Sequence, residues 1–252
     1  MTTIAILGSG GAPGATTLAL AFGAAWPGES LVIDANPVPD HSVLAGFLRG
    51  EQAPSAGLFG LSSSLREGSE PREALRAGLM RLPAAPGPDR WFLPGFPHPG
   101  SAEHFAGGWR AVGHAIASLT AEDPRRGFIL DLGRDPRLPD EIDVLADEIW
   151  LVCRGDLRGL ASARLQLGAL READPTPPVS LIMVGDSPYA DSEIEEQLTV
   201  HLRGVIPHDP AAAGHYSHGT PAPRRLARSA WWRRVTELSA AAASDTRRRT
   251  AA

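Results

Sequence analysis

Gly8-Ser9-Gly10-Gly11-Ala12-Pro13-Gly14-Ala15-Thr16-Thr17 lies between the short apolar run Thr3–Leu7 and a segment, Leu18–Trp26, that reads as a helix. An apolar strand, a glycine-rich turn and a helix start together make an anion site, because free backbone N–H groups and the helix dipole point at the ligand. The spacing approaches the phosphate-loop pattern G-x-x-x-x-G-K-[ST], with lysine on the β/γ-phosphates and the hydroxyl on Mg²⁺. Aligned on Gly14-Ala15-Thr16, the first glycine becomes Ser9 and the lysine becomes Ala15. The chain contains no lysine at all; its 24 basic residues are all arginine.

Two other readings of this stretch stay open. Gly8-Ser9-Gly10-Gly11-Ala12-Pro13 starts like the dinucleotide fingerprint G-x-G-x-x-G, with Asp34 placed to hold a ribose, but it ends in proline. A purely structural turn that uses glycine for positive φ is the third. Gly14-Ala15-Thr16-Thr17 opening the helix favours the phosphate loop, with Thr16 in the Mg²⁺-ligand position.

With 252 residues, 43% of them apolar and 21% charged, the chain suits a single α/β domain, 1–252, with a real core. Met1 to Gly8 has no basic leader and runs straight into the glycine loop, against a signal peptide. No apolar run approaches the roughly 20 residues of a membrane span. The one cysteine, Cys153, ends the apolar run Ile149-Trp150-Leu151-Val152 and reads as a buried structural thiol in a reducing compartment. The expected localisation is cytoplasmic, or peripheral to the inner face of the membrane. From Pro221 onward eight arginines face only Glu237 and Asp245, a net of +6 that leaves −11 of the total −5 on the rest. A basic tail on an acidic body points to nucleic acid, an anionic membrane or an acidic partner, beside the plainer reading of a solvated helix face.

Short apolar runs alternate with helix-like segments. Strands are predicted at Thr3–Leu7, Ser30–Ile33, Arg90–Leu93, Gly127–Leu132, Glu148–Cys153, Val179–Val184 and Gly204–Ile206. Helices are predicted at Thr16–Ala25, Pro71–Arg81, Ala102–Leu119, Ser162–Ala173, Ser192–Leu202 and Leu226–Ala243. Uniformly apolar short strands alternating with helices imply a three-layer α/β/α architecture around a mostly parallel twisted sheet. The Pro/Gly-rich stretch 50–101 reads as a variable surface segment, and 244–252 as a disordered basic tail.

Ligands of such sheets bind beyond the carboxyl ends of the strands. Asp131 follows the apolar run Gly127-Phe128-Ile129-Leu130, as the metal-holding aspartate of a phosphate-loop protein follows its strand. Thr16 and Asp131 are therefore candidate Mg²⁺ ligands, and Asp34 ends a third strand.

The order of these motifs resembles the MinD/ParA branch of P-loop ATPases, whose loop runs K-G-G-x-G-K-T-T. Gly10-Gly11-Ala12-Pro13-Gly14-Ala15-Thr16-Thr17 follows it, and Leu31-Val32-Ile33-Asp34-Ala35-Asn36-Pro37 resembles that family's L-L-I-D-A-D-P segment. Phe128-Ile129-Leu130-Asp131-Leu132-Gly133 is similar to its second metal-site strand, and Val205-Ile206-Pro207-His208-Asp209-Pro210 to the loop bordering the base. Alanine in the lysine position resembles the TadZ/CpaE group linked to pilus and secretion machinery. The resemblance implies ATP or ADP with Mg²⁺, held by Gly10 to Thr17, Pro207 and Asp209, with Thr16 and Asp131 on the metal. It also implies a homodimer and protein partners of a localisation or pilus/secretion system. Membrane or DNA contact would run through the basic C-terminal helix, as in MinD, although such a helix more often packs on its own sheet.

Three departures from the family remove charge. Gly10 stands at the lysine that reaches across a dimer, Ala15 at the lysine on the bound phosphates, and Asn36 at the second aspartate of the water-positioning segment that begins with Asp34. Phosphoryl transfer rests on positioning and electrostatics, and losing one preorganised charge contact costs on the order of 10²–10³ in rate. Weak or absent hydrolysis is expected, with nucleotide binding retained and no catalytic residue assigned. Arg134 and Arg154, at strand ends, are candidates for a substitute phosphate cation. The expected function is a degenerate dimeric scaffold or positioning factor; the alternative is an active MinD/ParA-type ATPase cycling on membrane or DNA. The histidines His208, His215 and His218 lack the tight ligand pairing of a zinc site.

Overall fold

The computed structural model describes residues 2–11, 14–52, 56–83, 87–98, 100–105, 107–139, 141–173 and 177–250. Its strands are β1 (Thr2–Gly8), β2 (Ser30–Asp34), β3 (Met80–Arg81), β4 (Arg90–Leu93), β5 (Gly127–Asp131), β6 (Glu148–Arg154), β7 (Val179–Val184) and β8 (His201–Ile206). Between them run α1 (Ala15–Ala25), α2 (Gly57–Arg66), α3 (Pro71–Ala77), α4 (Gly108–Glu122), α5 (Ile142–Leu145), α6 (Leu157–Ala173), α7 (Asp191–Leu198) and α8 (Pro210–His218), and α9 (Ala230–Thr250) follows. A π-helical segment spans Ser42–Phe47.

The strands form one sheet in the order β3-β4-β2-β5-β1-β6-β7-β8, parallel throughout except for the β3–β4 edge. Alternate residues feed opposite layers. Ala5, Leu7, Ile33, Leu130 and Leu151 join the core beneath α2 to α7, whereas Ile4, Ile6, Val32, Ile129 and Trp150 join that of α1, α8 and α9. Burial on both faces is why the strands read as uniformly apolar rather than alternating. The three-layer α/β/α arrangement expected from the sequence is the one observed.

The 50–101 stretch carries more structure than its composition suggests. Leu58 and Leu61 of α2 and Leu75 of α3 are fully buried. The helix predicted to reach Arg81 stops at Ala77, and Met80 and Arg81 pair with Phe92 and Trp91 instead. The helix predicted from Ala102 is a short 3₁₀ turn followed by α4, because Gly107 adopts φ 77° between them.

At the C-terminus α9 runs past the expected end at Ala243 to Thr250. Trp231, Val235, Leu238, Ala242 and Ala243 form its buried stripe. Arg203 on β8 ties it down through Asp245 at 2.5 Å, and Arg234 Nε donates to the Val205 carbonyl at 3.2 Å. The apolar face of this helix is consumed inside the fold.

Candidate nucleotide site

β1 is central, with β5 on one side and β6 on the other, so the glycine loop leaves the sheet between the turns that follow both neighbours. Gly8 N donates to the Gly133 carbonyl at 2.7 Å and Ser9 N to the Val152 carbonyl at 2.8 Å. Gly10 N donates to Ser162 Oγ on α6 at 2.8 Å. Ser162 carries no sequence signal; only the packing of α6 beside the loop reveals it. Gly11 and Gly14 sit at φ 86° and 87°, the left-handed region that favours glycine. Gly14 ends the loop, and its carbonyl accepts from Leu18 N at 2.9 Å to start α1. Gly14, the N-cap, has no side chain to cap the first turn of α1, and no acid lies in that turn, the arrangement of a helix start suited to an anion. Ala12 and Pro13, also expected to touch phosphate, lie outside the described residues.

A side chain at position 10, where the resemblance puts a lysine, would have to turn the Ser162 hydroxyl aside and break its bond to Gly10 N. A Cβ on Gly10 would lie 2.6 Å from Ser162 Oγ. Ala15 is buried.

The acidic groups gather on the β5 side. Asp131 closes β5, is 3% exposed, and accepts from Gly133 N at 3.1 Å, with the Thr16 side chain near enough to favour its ionised form. Burial pushes its carboxyl up to about 6 despite those contacts. Asp34 closes β2 in direct register with Asp131. Its carboxyl is pushed up to about 7, first by burial and then by the Asp131 charge, against hydrogen bonds from the Asn36 and Gly95 N–H groups. Two carboxylates and a hydroxyl thus converge on hard oxygen donors, the ligand chemistry of Mg²⁺. Burial, and for Asp34 also the Asp131 charge, disfavours their ionised forms, which a bound cation would favour. The residues present fit the metal.

Asn36 lies on the same turn, but its side chain is engaged locally. Its Oδ1 accepts from Val38 N at 3.0 Å, and the amide packs over Gly133, whose φ of 66° leaves no place for a Cβ.

The β6 side is basic. A cavity of about 430 Å³ is lined by Gly10, Gly11, Arg154, Asp156, Arg158 and Ser162. Arg154 Nε is bound to Asp156 at 3.0 Å. Arg158 was not singled out from sequence.

Pro207 and Asp209 follow the edge strand β8. Asp209 is the N-cap of α8, its Oδ1 accepting from Ala212 N at 3.0 Å. It borders a cavity of about 560 Å³ lined also by Pro223, Arg225, Leu226, Arg228 and Ser229. The structure therefore brings Gly10, Gly11, Gly14, Ala15, Thr16, Asp34, Asn36 and Asp131 to one place, and puts Asp209 at the end of the sheet with a capping role. His215 is spent on Thr220, its Nδ1 at 2.7 Å from that carbonyl, with its ring against Phe47 and Tyr216. Cys153 is fully buried and its thiol is pushed up to about 12 by desolvation.

No protein-family model matches the chain, and no curated protein matches its sequence. Solved structures do match it. A ParA family ATPase from Chlorobium tepidum is 18% identical, with 95% of this chain and 97% of that one covered at a TM-score of 0.68. The MinD of a MinC:MinD cell division complex from Aquifex aeolicus is 16% identical over 96% and 95%, TM-score 0.67. The septum site-determining protein MinD of Pyrococcus horikoshii, in complex with Mg-ADP, is 18% identical over 94% and 93%, TM-score 0.62. From β1 to α9, this chain has the fold of the MinD and ParA ATPases.

Proposed function

We propose that the chain is a MinD/ParA-type positioning or partitioning protein that binds ATP or ADP with Mg²⁺ and hydrolyses it slowly or not at all. It works as a dimeric scaffold in the manner of the TadZ/CpaE group, within a localisation, pilus or secretion system. The observation that carries this reading is the buried Asp131 in direct register with Asp34, with Thr16 of the first turn of α1 beside them, next to a loop whose two lysine positions are Gly10 and Ala15. The metal ligands are kept while the mobile cations of turnover are gone. Similarity to a MinD that holds Mg-ADP supports the ligand class.

In this reading the later N–H groups of the loop, from Gly11 on, and those of the first turn of α1 hold the phosphates, those of Gly8, Ser9 and Gly10 being bound within the fold. Thr16 and Asp131 hold Mg²⁺, which when bound neutralises phosphate charge. Asn36 is neutral and its amide oxygen is committed to Val38 N, so it neither takes a proton from water nor aligns one. Gly10, pinned by Ser162, reaches no second copy. Binding survives and the transition state lacks its charges.

Two measurements test this together. The nucleotide content of protein purified without added ligand, with calorimetry using ATP and Mg²⁺, should show binding. Steady-state phosphate release should stay at background and be unmoved by DNA or lipid vesicles. Stimulated release would favour the cycling ATPase, and absence of any bound or binding nucleotide would end the nucleotide reading.

A further inference from the structure

We propose that Arg134 is the phosphate cation of this site, reaching from the β5 side into the space that a lysine at position 15 would serve. The inference rests on the nucleotide-binding reading above and names the residue that completes it.

The geometry meets at Gly8, the last residue of β1. A Cβ built on Gly8 would lie 3.1 Å from the Ala15 Cβ, 3.1 Å from the Arg134 Cγ and 3.3 Å from the Gly133 carbonyl oxygen. The stem of Arg134 therefore runs over the floor of the loop, beside the methyl group that replaces the lysine. The guanidinium begins two bonds beyond that Cγ, which puts the space that a lysine stem rising from Ala15 would reach within its range. The backbone of Arg134 is held from below, its carbonyl accepting from Gln166 Nε2 at 3.1 Å. The side chain is exposed, and no carboxylate pairs with it among the described residues. Arg154, the other strand-end arginine, is neutralised by Asp156 and lies on the opposite flank of the loop.

The absence of lysine explains why the cation enters from the side. Every cation in this chain is an arginine, and a guanidinium is a broad planar fork where an ammonium is compact. Position 15 is buried against Gly8 at the first turn of α1. A fork rooted there would have to thread the loop from within, whereas one rooted at residue 134 lies along the open floor. Its paired donors suit a phosphate better than a point charge does.

The test is calorimetric titration of the full-length chain with ATP, ADP and AMP in Mg²⁺. Arg134→Gln and Arg134→Ala should each weaken ATP about tenfold to a hundredfold, the range for a lost charge-assisted phosphate contact. AMP, which lacks the outer phosphates, should change less than about threefold on the same grounds. Arg134→Lys should keep most of the ATP affinity, and Arg154→Gln should leave it near wild type. Folding is controlled by circular dichroism and melting temperature, which an exposed side chain should leave unchanged. ATP affinity intact in both Arg134→Gln and Arg134→Ala, an equal loss for AMP, or an equal loss in Arg154→Gln would overturn the assignment and leave the nucleotide reading standing. A wild-type chain that binds none of the three nucleotides would overturn both.

Discussion

Replacing Asp34 by asparagine should stabilise the ligand-free protein at pH 8, and much less at pH 5. In the folded chain the Asp34 carboxyl is pushed up to about 7 by burial and by the Asp131 charge. In the unfolded chain it returns to about 3.9. The native state therefore binds more protons than the unfolded state between those values, so stability falls as pH rises through that window. The cost is absent below the unfolded value and complete above the folded one. Linkage over pH 5 to 8 gives a little under 3 kcal/mol for the full shift, or roughly 2 kcal/mol once solvent at the partly exposed edge of Asp34 is allowed for. Asparagine keeps the shape and removes the charge, so its advantage should grow by that amount across the same range. For a chain of this size, about 2–4 °C of melting temperature accompanies each kcal/mol, so the variant should gain about 4–8 °C on wild type between pH 5 and pH 8.

The assay is differential scanning calorimetry of both proteins in EDTA at unit pH steps. Mg²⁺ at pH 8 should raise the wild type more than Asp34→Asn, because a cation relieves the same repulsion that the substitution removes. An advantage that stays flat with pH, or a variant less stable than wild type at pH 8, would refute the claim that burial beside Asp131 raises the Asp34 carboxyl.

Thr16→Ala and Asp131→Asn should each abolish the Mg²⁺ dependence of ATP affinity, read by titration with and without EDTA, while leaving metal-free binding within about threefold, since the backbone phosphate contacts remain. Gly127→Ala should destabilise by about 1–3 kcal/mol in urea unfolding, since overpacking a filled core forces its neighbours to move; the new methyl would enter the Trp26 ring, which is 1% exposed and bound through Nε1 to the Arg125 carbonyl at 3.0 Å. Cys153, fully buried with its thiol pushed up to about 12, should stay unlabelled by a disulfide reagent at pH 8 until the protein is unfolded.

The strands were legible because a doubly covered parallel sheet writes them as short, wholly apolar runs, and each of the seven predicted ones is present. The two carboxylates were legible for a related reason: parallel strands deliver their C-terminal residues to one edge, which is where Asp34 and Asp131 lie, and the structure adds that β2 and β5 are adjacent and puts them in direct register. Where sequence failed, the deciding contact is long-range. α2 lies in a Pro/Gly-rich stretch and owes its place to Leu58 and Leu61 meeting the core. Ser162 is one small polar residue on a helix until α6 brings it to Gly10 N. The capping role of Asp209 was missed, although it is readable in Asp209-Pro210-Ala211-Ala212, where proline at the first helical position follows an N-cap aspartate.

The strand order divides the loop's surroundings by charge, and that division separates binding from turnover. Asp131, Asp34 and Thr16 all lie toward β5 and β2, and Arg154 and Arg158 toward β6 and α6. A cation coordinated on the acidic flank needs only oxygens that are already in contact, and it stabilises ground state and transition state alike. Charges that act only as the bond breaks have to move or point along the reaction axis, and the three positions suited to that hold a glycine bonded to Ser162, a buried alanine and an amide tied to Val38 N. Uniform binding of this sort lowers the free energy of the bound nucleotide without lowering the barrier. On the proposed reading, a loop built this way would hold a nucleotide as a part of its structure, and Arg134 at its floor would add affinity rather than speed.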